Sequence, residues 1–402
     1  MQNEHIEQLV INERTSCSVC NNPGLSEVLD LPKLPFTGRF TKNLTKNFFV
    51  GVDQKFLFCN ECGHGQLFRQ VNPSVLYDKS YSFKTSMSAS ARTGTGFFLG
   101  FLESLKIKHD FQCILDVGCN DLYLLQELKD YGKIKVGIDP IWLTEKSQPP
   151  PNFLIIGGTI EGSDLIDELP EKPDLIVCRH TLEHIYDPRS TILKLMASSH
   201  DDALFVFEVP CLDSLVNRGR FDQVFHEHLQ YFSFKSWEVL LEQCEAEIVG
   251  VAQDYHNWGA LGVAFRKKRN GGGISLKPHG KVSEKRIHEK MKLFKVQVEN
   301  TAGIISSCIG DSIYGYGAAL MLPVLAYHMK SDFSFVKGII DDDDEKEGWY
   351  YENLPLKILR RSSIKDFNDS SIILTAIDNS KPILTKILTE RPRHIICPLN
   401  MI

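Results

Sequence analysis

The sequence predicts an α/β chain in three parts: a small cysteine-knuckle domain, an open sheet of about seven mostly parallel strands, and a second, smaller α/β unit. Three observations carry this. Two C-x-x-C pairs, "CSVC" and "CNEC", stand near the start. Short apolar runs then alternate with segments of helical periodicity, the pattern of a parallel sheet covered on both faces. A charged, glycine-rich break, "RKKRNGGGISLKPHG", precedes a further alternation of the same kind. At 402 residues, 43% hydrophobic and 24% charged, the chain is too apolar for disorder and too long for one core. The expected boundaries are 1–72, 73–270 and 271–402.

The cysteines come first. Eleven are present, and seven of them are scattered in apolar surroundings, where a thiol behaves as a small hydrophobe. Cys17, Cys20, Cys59 and Cys62 are different: each pair presents two sulfurs from one tight turn, and four thiolates close a tetrahedral zinc shell with no open position. Structural Zn2+ is therefore expected, with His64 as a conceivable substitute ligand. The strand-like "FFVGVDQKFLFC" leads into the second knuckle. This cysteine usage suits a reducing compartment. "MQNEHIEQLVINER" lacks the pattern of a signal peptide, and no apolar run approaches the length of a membrane helix. A cytoplasmic protein without a membrane partner is expected. The formal net charge of -6 argues against nucleic acid as the main partner.

In the middle part, "ARTGTGFFLGFLESLKI" reads as a helix, "CILDVGCNDLYLLQEL" as strand, tight turn and helix, and "IKVGIDP" as a strand ending at Asp139. "NFLII", "PDLIVC", "ALFVFEVP", "AEIVGVAQDY" and "GALGVAFRKK" complete about seven strands. In the turn "DVGCND", Asp116 closes the first strand and Gly118 permits the bend. A dinucleotide loop would repeat its glycines; here Asn120 and Leu122 stand where they would fall, so a pyrophosphate could not approach the backbone closely. A ligand without phosphate at this point fits better. S-adenosylmethionine is expected, with its amino-acid end on the backbone at Gly118 and its ribose diol on the Asp139 carboxylate. Asp116, Gly118, Asn120, Asp139 and Arg179 make up the expected cofactor set.

"FHEHLQYFS" follows the strand ending "FEVP" and precedes a helix that Ser233 can cap, so it belongs to a loop over the cofactor. "RHTLEHI" leaves the neighbouring strand and brings His184 to the same side. Histidine is the natural base near neutral pH, and a nearby glutamate can tune it. Two other readings stay open: His226 and His228 as an H-x-H metal pair on one face of an extended segment, or histidines that simply hydrogen-bond in a half-buried loop.

After the break, Ile287, Met291, Phe294 and Val298 form the stripe of a long amphipathic helix. "SIYGYGAALMLPVLAYHM", "FVKGIIDDDD", "SSIILTAID" and "HIICPLN" then make a small Rossmann-like unit. "GYGAA" either opens a helix toward a diphosphate or serves strand–helix packing.

Taken together, the paired knuckles, "YSFKTSMS", "DVGCNDLYLL", "RHTLEHI", "FEVP", "HEHLQYFS", "GYGAA" and "IDD" resemble the C-methyltransferases that act on nucleotide-linked 4-keto-deoxysugars. The likeness spans nearly the whole chain and implies the same three-part order: zinc-binding domain, class I S-adenosylmethionine-dependent methyltransferase domain, Rossmann-like C-terminal domain. It implies His228 as the base with Glu227 beside it, and supporting roles for His184 and Tyr81. The sequence departs from the family at Phe225 and Phe83, where tyrosines are usual, and at Leu122, where glycine is usual. The implied reaction is removal of the C3 proton of a dTDP- or GDP-linked 4-keto-6-deoxysugar and methylation of the resulting enolate, within one chain acting as a monomer. An O- or N-methyltransferase on another small metabolite, a nucleic-acid-binding module, and an inactive nucleotide-sugar-binding relative are the alternatives.

Overall fold

The computed structural model describes residues 9–44, 51–76, 84–106, 110–145, 148–255, 259–269, 274, 282–308 and 312–399. The central sheet has the seven strands expected: β1 (Phe111–Val117), β2 (Gly132–Asp139), β3 (Phe153–Gly157), β4 (Leu175–Arg179), β5 (Leu204–Pro210), β6 (Ala246–Asp254) and β7 (Ala260–Lys267). Their order is β3-β2-β1-β4-β5-β7-β6, with β1 to β5 parallel and β7 antiparallel to both its neighbours. This is the class I methyltransferase sheet. Its strands are continuous apolar runs because both faces are covered. On one face Phe98 and Leu102 of α1 (Ala89–Ser104) and Leu125 of α2 (Tyr123–Glu127) pack on Ile114, Val177 and Val206. On the other, Ile192 and Leu195 of α3 (Pro188–Ala197) and Trp237 of α4 (Phe234–Gln243) pack on Leu115, Ile176 and Phe205. Ser233 caps α4 as expected, in a capping box with Ser236.

Two features of the chain's plan go beyond a string of three domains. Strands Leu25–Leu34, Val52–Cys59 and Gly65–Leu67 form an antiparallel sheet whose fourth strand is Gln230–Tyr231, donated by the segment after "HEH". A second antiparallel pair joins Phe40–Thr41 to Tyr350–Tyr351 of the C-terminal part. The long helix α5 (Glu284–Ser307) buries Ile287, Met291, Phe294 and Val298, the stripe read from the sequence. It shares one core with Leu29 and Leu31 of the N-terminal sheet, Leu215 and Phe221 before the histidine loop, and Leu322 and Leu325 of the C-terminal unit. The expected strand before the second knuckle begins at Val52, and residues 45–50 lie outside the described residues.

The C-terminal sheet comprises β8 (Ser312–Tyr316), β9 (Ile339–Asp341), β10 (Ile358–Arg360), β11 (Ser370–Leu374) and β12 (His394–Ile396). All its pairs are parallel, in the order β10-β9-β8-β11-β12. Here one expectation is corrected. "GYGAA" does not open a helix: Gly315 and Tyr316 end β8, and the next helix, Leu322–His328, starts later and has only seven residues. The glycines serve packing. A Cβ on Gly315 would lie 2.4 Å from Ile339, and one on Gly317, at φ +96, would lie 2.3 Å from the Cβ of Ala376. No helix among the described residues is long and apolar enough to cross a membrane.

Candidate active site

The four knuckle cysteines converge. Their sulfurs all lie within 4.8 Å of one another, with Cys17–Cys62 and Cys20–Cys59 each at 3.5 Å. A zinc tetrahedron with arms of about 2.3 Å has edges of about 3.8 Å, so the cluster fits the ion. Hydrogen bonds from Cys17 and then Cys62 push the Cys59 thiol down toward thiolate, the form that binds metal. His64 is not part of the quartet. It lies behind it, buried, with Nε2 2.9 Å from Gln230 Oε1, and burial lowers its pKa to about 4.

The cofactor loop leaves β1 at its carboxyl end. Gly118 sits at φ +81, and a Cβ there would fall 1.9 Å from Thr181 Oγ1, so the turn has room for glycine alone. Asn120 (φ 43) and Leu122 (φ 66) are also left-handed, an unusual state for residues with a side chain. Leu122 occupies a position where a glycine would relax the backbone; burial of its side chain against Phe98 and Leu125 offsets the strain. The Asp139 carboxylate accepts the backbone N–H groups of Asn120 and Ile141, both at 2.9 Å. The Asn120 side chain turns outward and accepts from Thr85 N at 3.1 Å, tying down the segment after residue 83. Asp116 is the telling group. It is 1% exposed, and neither carboxylate oxygen has a partner among the described residues. Burial and the charge of Asp139 push its pKa up to about 8. An orphaned carboxylate beside a glycine turn suits a ligand that brings positive charge, which S-adenosylmethionine does.

The charge of Arg179 also acts on Asp116 and works to lower its pKa. Arg179 Nε donates to Glu208 Oε1 at 2.7 Å and its Nη1 to Thr95 Oγ1 at 3.0 Å, which fixes it as a buried ion pair across the ends of β4 and β5.

The stretch "FHEH" sends its three polar side chains in different directions. His226 is fully buried in the N-terminal sheet, with Nε2 donating to Leu34 O at 2.9 Å and Phe36 edge-on at 5.2 Å. Burial lowers its pKa to about 4. The H-x-H metal pair therefore does not form. Glu227 also faces that domain: Thr37 Oγ1 donates to its Oε1 at 2.5 Å, and burial raises its pKa. Its carboxylate makes no hydrogen bond to the His228 ring, although its peptide oxygen accepts from His184 Nδ1 at 2.7 Å. His228 points the other way, half-buried, with its ring 4.8 Å from that of His184 and 4.1 Å from that of Phe225. Burial, then the neighbouring His184 and His180, hold its pKa well below the ordinary histidine value. A neutral imidazole is what a base requires. Tyr81 and Phe83 lie outside the described residues.

Four side chains take a place in the site that the sequence reading did not give them. Glu183 and Glu208 are each 1% exposed, and His180 lies between them. Gln230 is the stitch of the site: its Nε2 donates to Ile185 O and Tyr186 O at 2.9 and 3.0 Å, and its Oε1 accepts from Ser18 Oγ at 2.7 Å. One side chain thus joins the first zinc knuckle, the "RHTLEHI" loop and the "HEH" loop. The i, i+3 spacing of His180 and Glu183 is the only local signal of this network.

Residues 91–251 match the family model described as a methyltransferase domain, and residues 17–77 the one described as a "putative zinc binding domain". Among curated proteins, C-methyltransferase NovU of Streptomyces niveus is 24% identical over 250 residues, which are 61% of this chain and 59% of that protein. A ubiquinone biosynthesis O-methyltransferase of Pseudomonas syringae pv. tomato is 32% identical over 83 residues, 20% of this chain and 36% of that one. The chain thus spans less than two thirds of either relative. Among solved structures, N-methyltransferase NodS from Bradyrhizobium japonicum in complex with S-adenosyl-L-homocysteine is 16% identical, with a TM-score of 0.34 over 45% of this chain and 89% of its own. An S-adenosylmethionine-dependent methyltransferase from Clostridium acetobutylicum is 10% identical, with a TM-score of 0.33 over 44% and 91%. The two matched domains stand in the order that the family resemblance implies.

Proposed function

We propose that this chain, an S-adenosylmethionine-dependent methyltransferase with an N-terminal zinc-binding domain, methylates carbon. Its substrate on this reading is a dTDP- or GDP-linked 4-keto-6-deoxysugar, and the methyl group goes to C3. The observation that carries the reading is the His184–His228 pair: two rings 4.8 Å apart beyond the carboxyl ends of β4 and β5, one of them held neutral by burial. A methyltransferase acting on oxygen or nitrogen has less need of such a group. A carbon beside a ketone becomes nucleophilic only as its enolate, and a base must first take the proton.

His228 is the base. Phe225 covers its ring and shuts out water on that side. His184 is held through Nδ1 by the Glu227 carbonyl at 2.7 Å, which keeps its ring beside that of His228 and the substrate. Tyr81, from the family resemblance, is the donor to the enolate oxygen. Glu227 acts on His228 indirectly, by fixing the loop through Thr37. Asp139 holds the ribose hydroxyls and the backbone at Gly118 the amino-acid end of the cofactor, with the buried Asp116 carboxyl beside the turn. When bound, S-adenosylmethionine supplies an electrophilic methyl group; zinc supplies folding alone.

The test combines product mass spectrometry on a panel of dTDP- and GDP-4-keto-6-deoxysugars with NMR of C3 proton exchange in D2O, demethylated cofactor bound. Wild type is expected to add one methyl group to carbon and to exchange the C3 proton. His228→Asn should lose methyl transfer by about 10²–10⁴-fold and lose exchange, with cofactor affinity intact. Undiminished methylation by the variant, or methyl transfer to oxygen or nitrogen, would end the proposal.

A further inference from the structure

His180 is held by two buried carboxylates, and no step above uses it. It leaves β4 in the left-handed region, at φ +50, a conformation uncommon outside glycine though less so for histidine than for most residues. Its backbone N–H donates to Glu208 O at 2.8 Å, which fixes the turn. Its ring then bridges two acids from different elements: Nδ1 lies 3.3 Å from Glu183 Oε1 and Nε2 lies 3.1 Å from Glu208 Oε1. A neutral imidazole has one donor and one acceptor, so it could satisfy only one of these carboxylates; the imidazolium satisfies both.

Charge balance points the same way. Glu183 and Glu208 bring two buried negative charges, and Arg179 compensates one of them. A protonated His180 makes the cluster neutral, whereas a neutral ring leaves an uncompensated carboxylate in the interior, which is costly. The unmatched acid would be Glu183, because Arg179 already pairs with Glu208. That matters because one carboxylate oxygen of Glu183 and one ring nitrogen each of His184 and His228 lie within 4.8 Å of one another. An unneutralised Glu183 would invite a proton onto the His228 ring, and a protonated His228 is no base.

We propose that His180 is a positioning residue, a fixed imidazolium that neutralises Glu183 and so keeps His228 in its proton-accepting form. This rests on the reading of His228 as the base. Among the described residues, the charged and titratable groups facing the cluster are Asp116 at the end of β1, Glu183 and His184 from the loop after β4, Arg179 at the end of β4, Glu208 on β5, and His228 and Tyr231 from the segment beyond. Glu227 turns its carboxylate to Thr37. In agreement, burial works to lower the His180 pKa, but the bonds to Glu183 and Glu208 lift it to about 9.

The experiment is a titration of the zinc-loaded full chain with 15N-labelled histidine, followed by two-dimensional NMR. In wild type the His180 ring should stay doubly protonated through neutral pH and the His228 ring neutral. In His180→Gln, His228 should take up its proton at a pH at least about one unit higher, a tenfold change in proton affinity. The acid limb of the kcat/KM–pH profile should move with it, which a merely structural residue would not cause. A wild-type His180 that is neutral at pH 7, or a His228 titration unchanged by the substitution, would overturn the proposal. Should His180→Gln fail to fold, Glu183→Gln serves: His180 should then lose its proton at lower pH than in wild type, and an unchanged His180 titration overturns the idea. If His228→Asn keeps full methylation, the base assignment falls, while the His180 and His228 titrations still decide the coupling.

Discussion

Two sheets whose first five strands are parallel and follow one order stand in this chain, and the carboxyl ends of those strands have been put to different uses. In both, the first strand neighbours the second on one side and the fourth on the other, so the crevice between them is where such folds place ligands. At the central sheet that edge carries carboxylate oxygens without hydrogen-bond partners among the described residues, both of Asp116 and one each of Glu183 and Glu208, beside a Gly118 turn with room for nothing else. At the C-terminal sheet the corresponding groups are spent on each other. Thr375 Oγ1 donates to Gly317 O at 2.7 Å, and Asp341 accepts from Ala318 N at 2.5 Å and Asp343 N at 2.9 Å. Topology supplies a crevice; only unsatisfied groups make it reactive.

The strongest way to test that contrast is to remove zinc. Because Gln230–Tyr231 rides on the zinc-bearing sheet, chelation should abolish methyl transfer, since structural zinc is worth on the order of 10 kcal/mol of folding energy in small domains. The C-terminal sheet should keep its protection in hydrogen exchange. Loss of protection throughout the chain would mean that the two regions fold as one.

A paired substitution is sharper. Gly118→Ala should prevent cofactor binding in calorimetry, since its Cβ would strike Thr181 at a positive φ. Gly317→Ala should cost stability, about 1–3 kcal/mol in denaturant melts, and leave cofactor affinity alone. Equal effects on affinity would erase the distinction between the two crevices. Asp139→Ala comes next: losing charge-assisted bonds of about 1.5–3 kcal/mol should weaken the cofactor roughly 10–100-fold by calorimetry.

The smallest effect is on stability against pH, and it should differ in sign between the regions. His180, lifted to about 9 by its two carboxylates despite burial, adds stability that is complete below about pH 6.5 and is lost as pH rises toward 9. His328, in the C-terminal unit, is lowered to about 4 by burial, so its contribution is complete above about pH 6.5 and is lost as pH falls toward 4. His64 and His226 behave like His328. Denaturant midpoints across pH should fall on both sides of neutrality, and His180→Gln should flatten only the alkaline side.

Much of this was legible because it is local. Knuckle spacing, strand runs, the stripe of α5 and the cap at Ser233 are all set by neighbours in sequence, and each is in place. The placing of His228 after a strand end was legible for the same reason. What could not be read depends on the third dimension. Nothing local says that His226 will turn into another domain, that Arg179 will pair with Glu208, or that the glycines of "GYGAA" are there for Ile339 and Ala376. Charged residues inside strand ends were visible; their partners were not.

The strand Gln230–Tyr231 has a further consequence, in the order in which the molecule is made. The N-terminal sheet cannot gain its fourth strand until residue 231 has left the ribosome, long after both knuckles have emerged. Contacts so distant in sequence form slowly. The nascent chain therefore carries an early metal-binding unit with one raw edge, open to pairing with any passing strand. The segment that finally covers that edge is the one that carries His228, so the quaternary hazard and the chemistry are resolved in the same folding step.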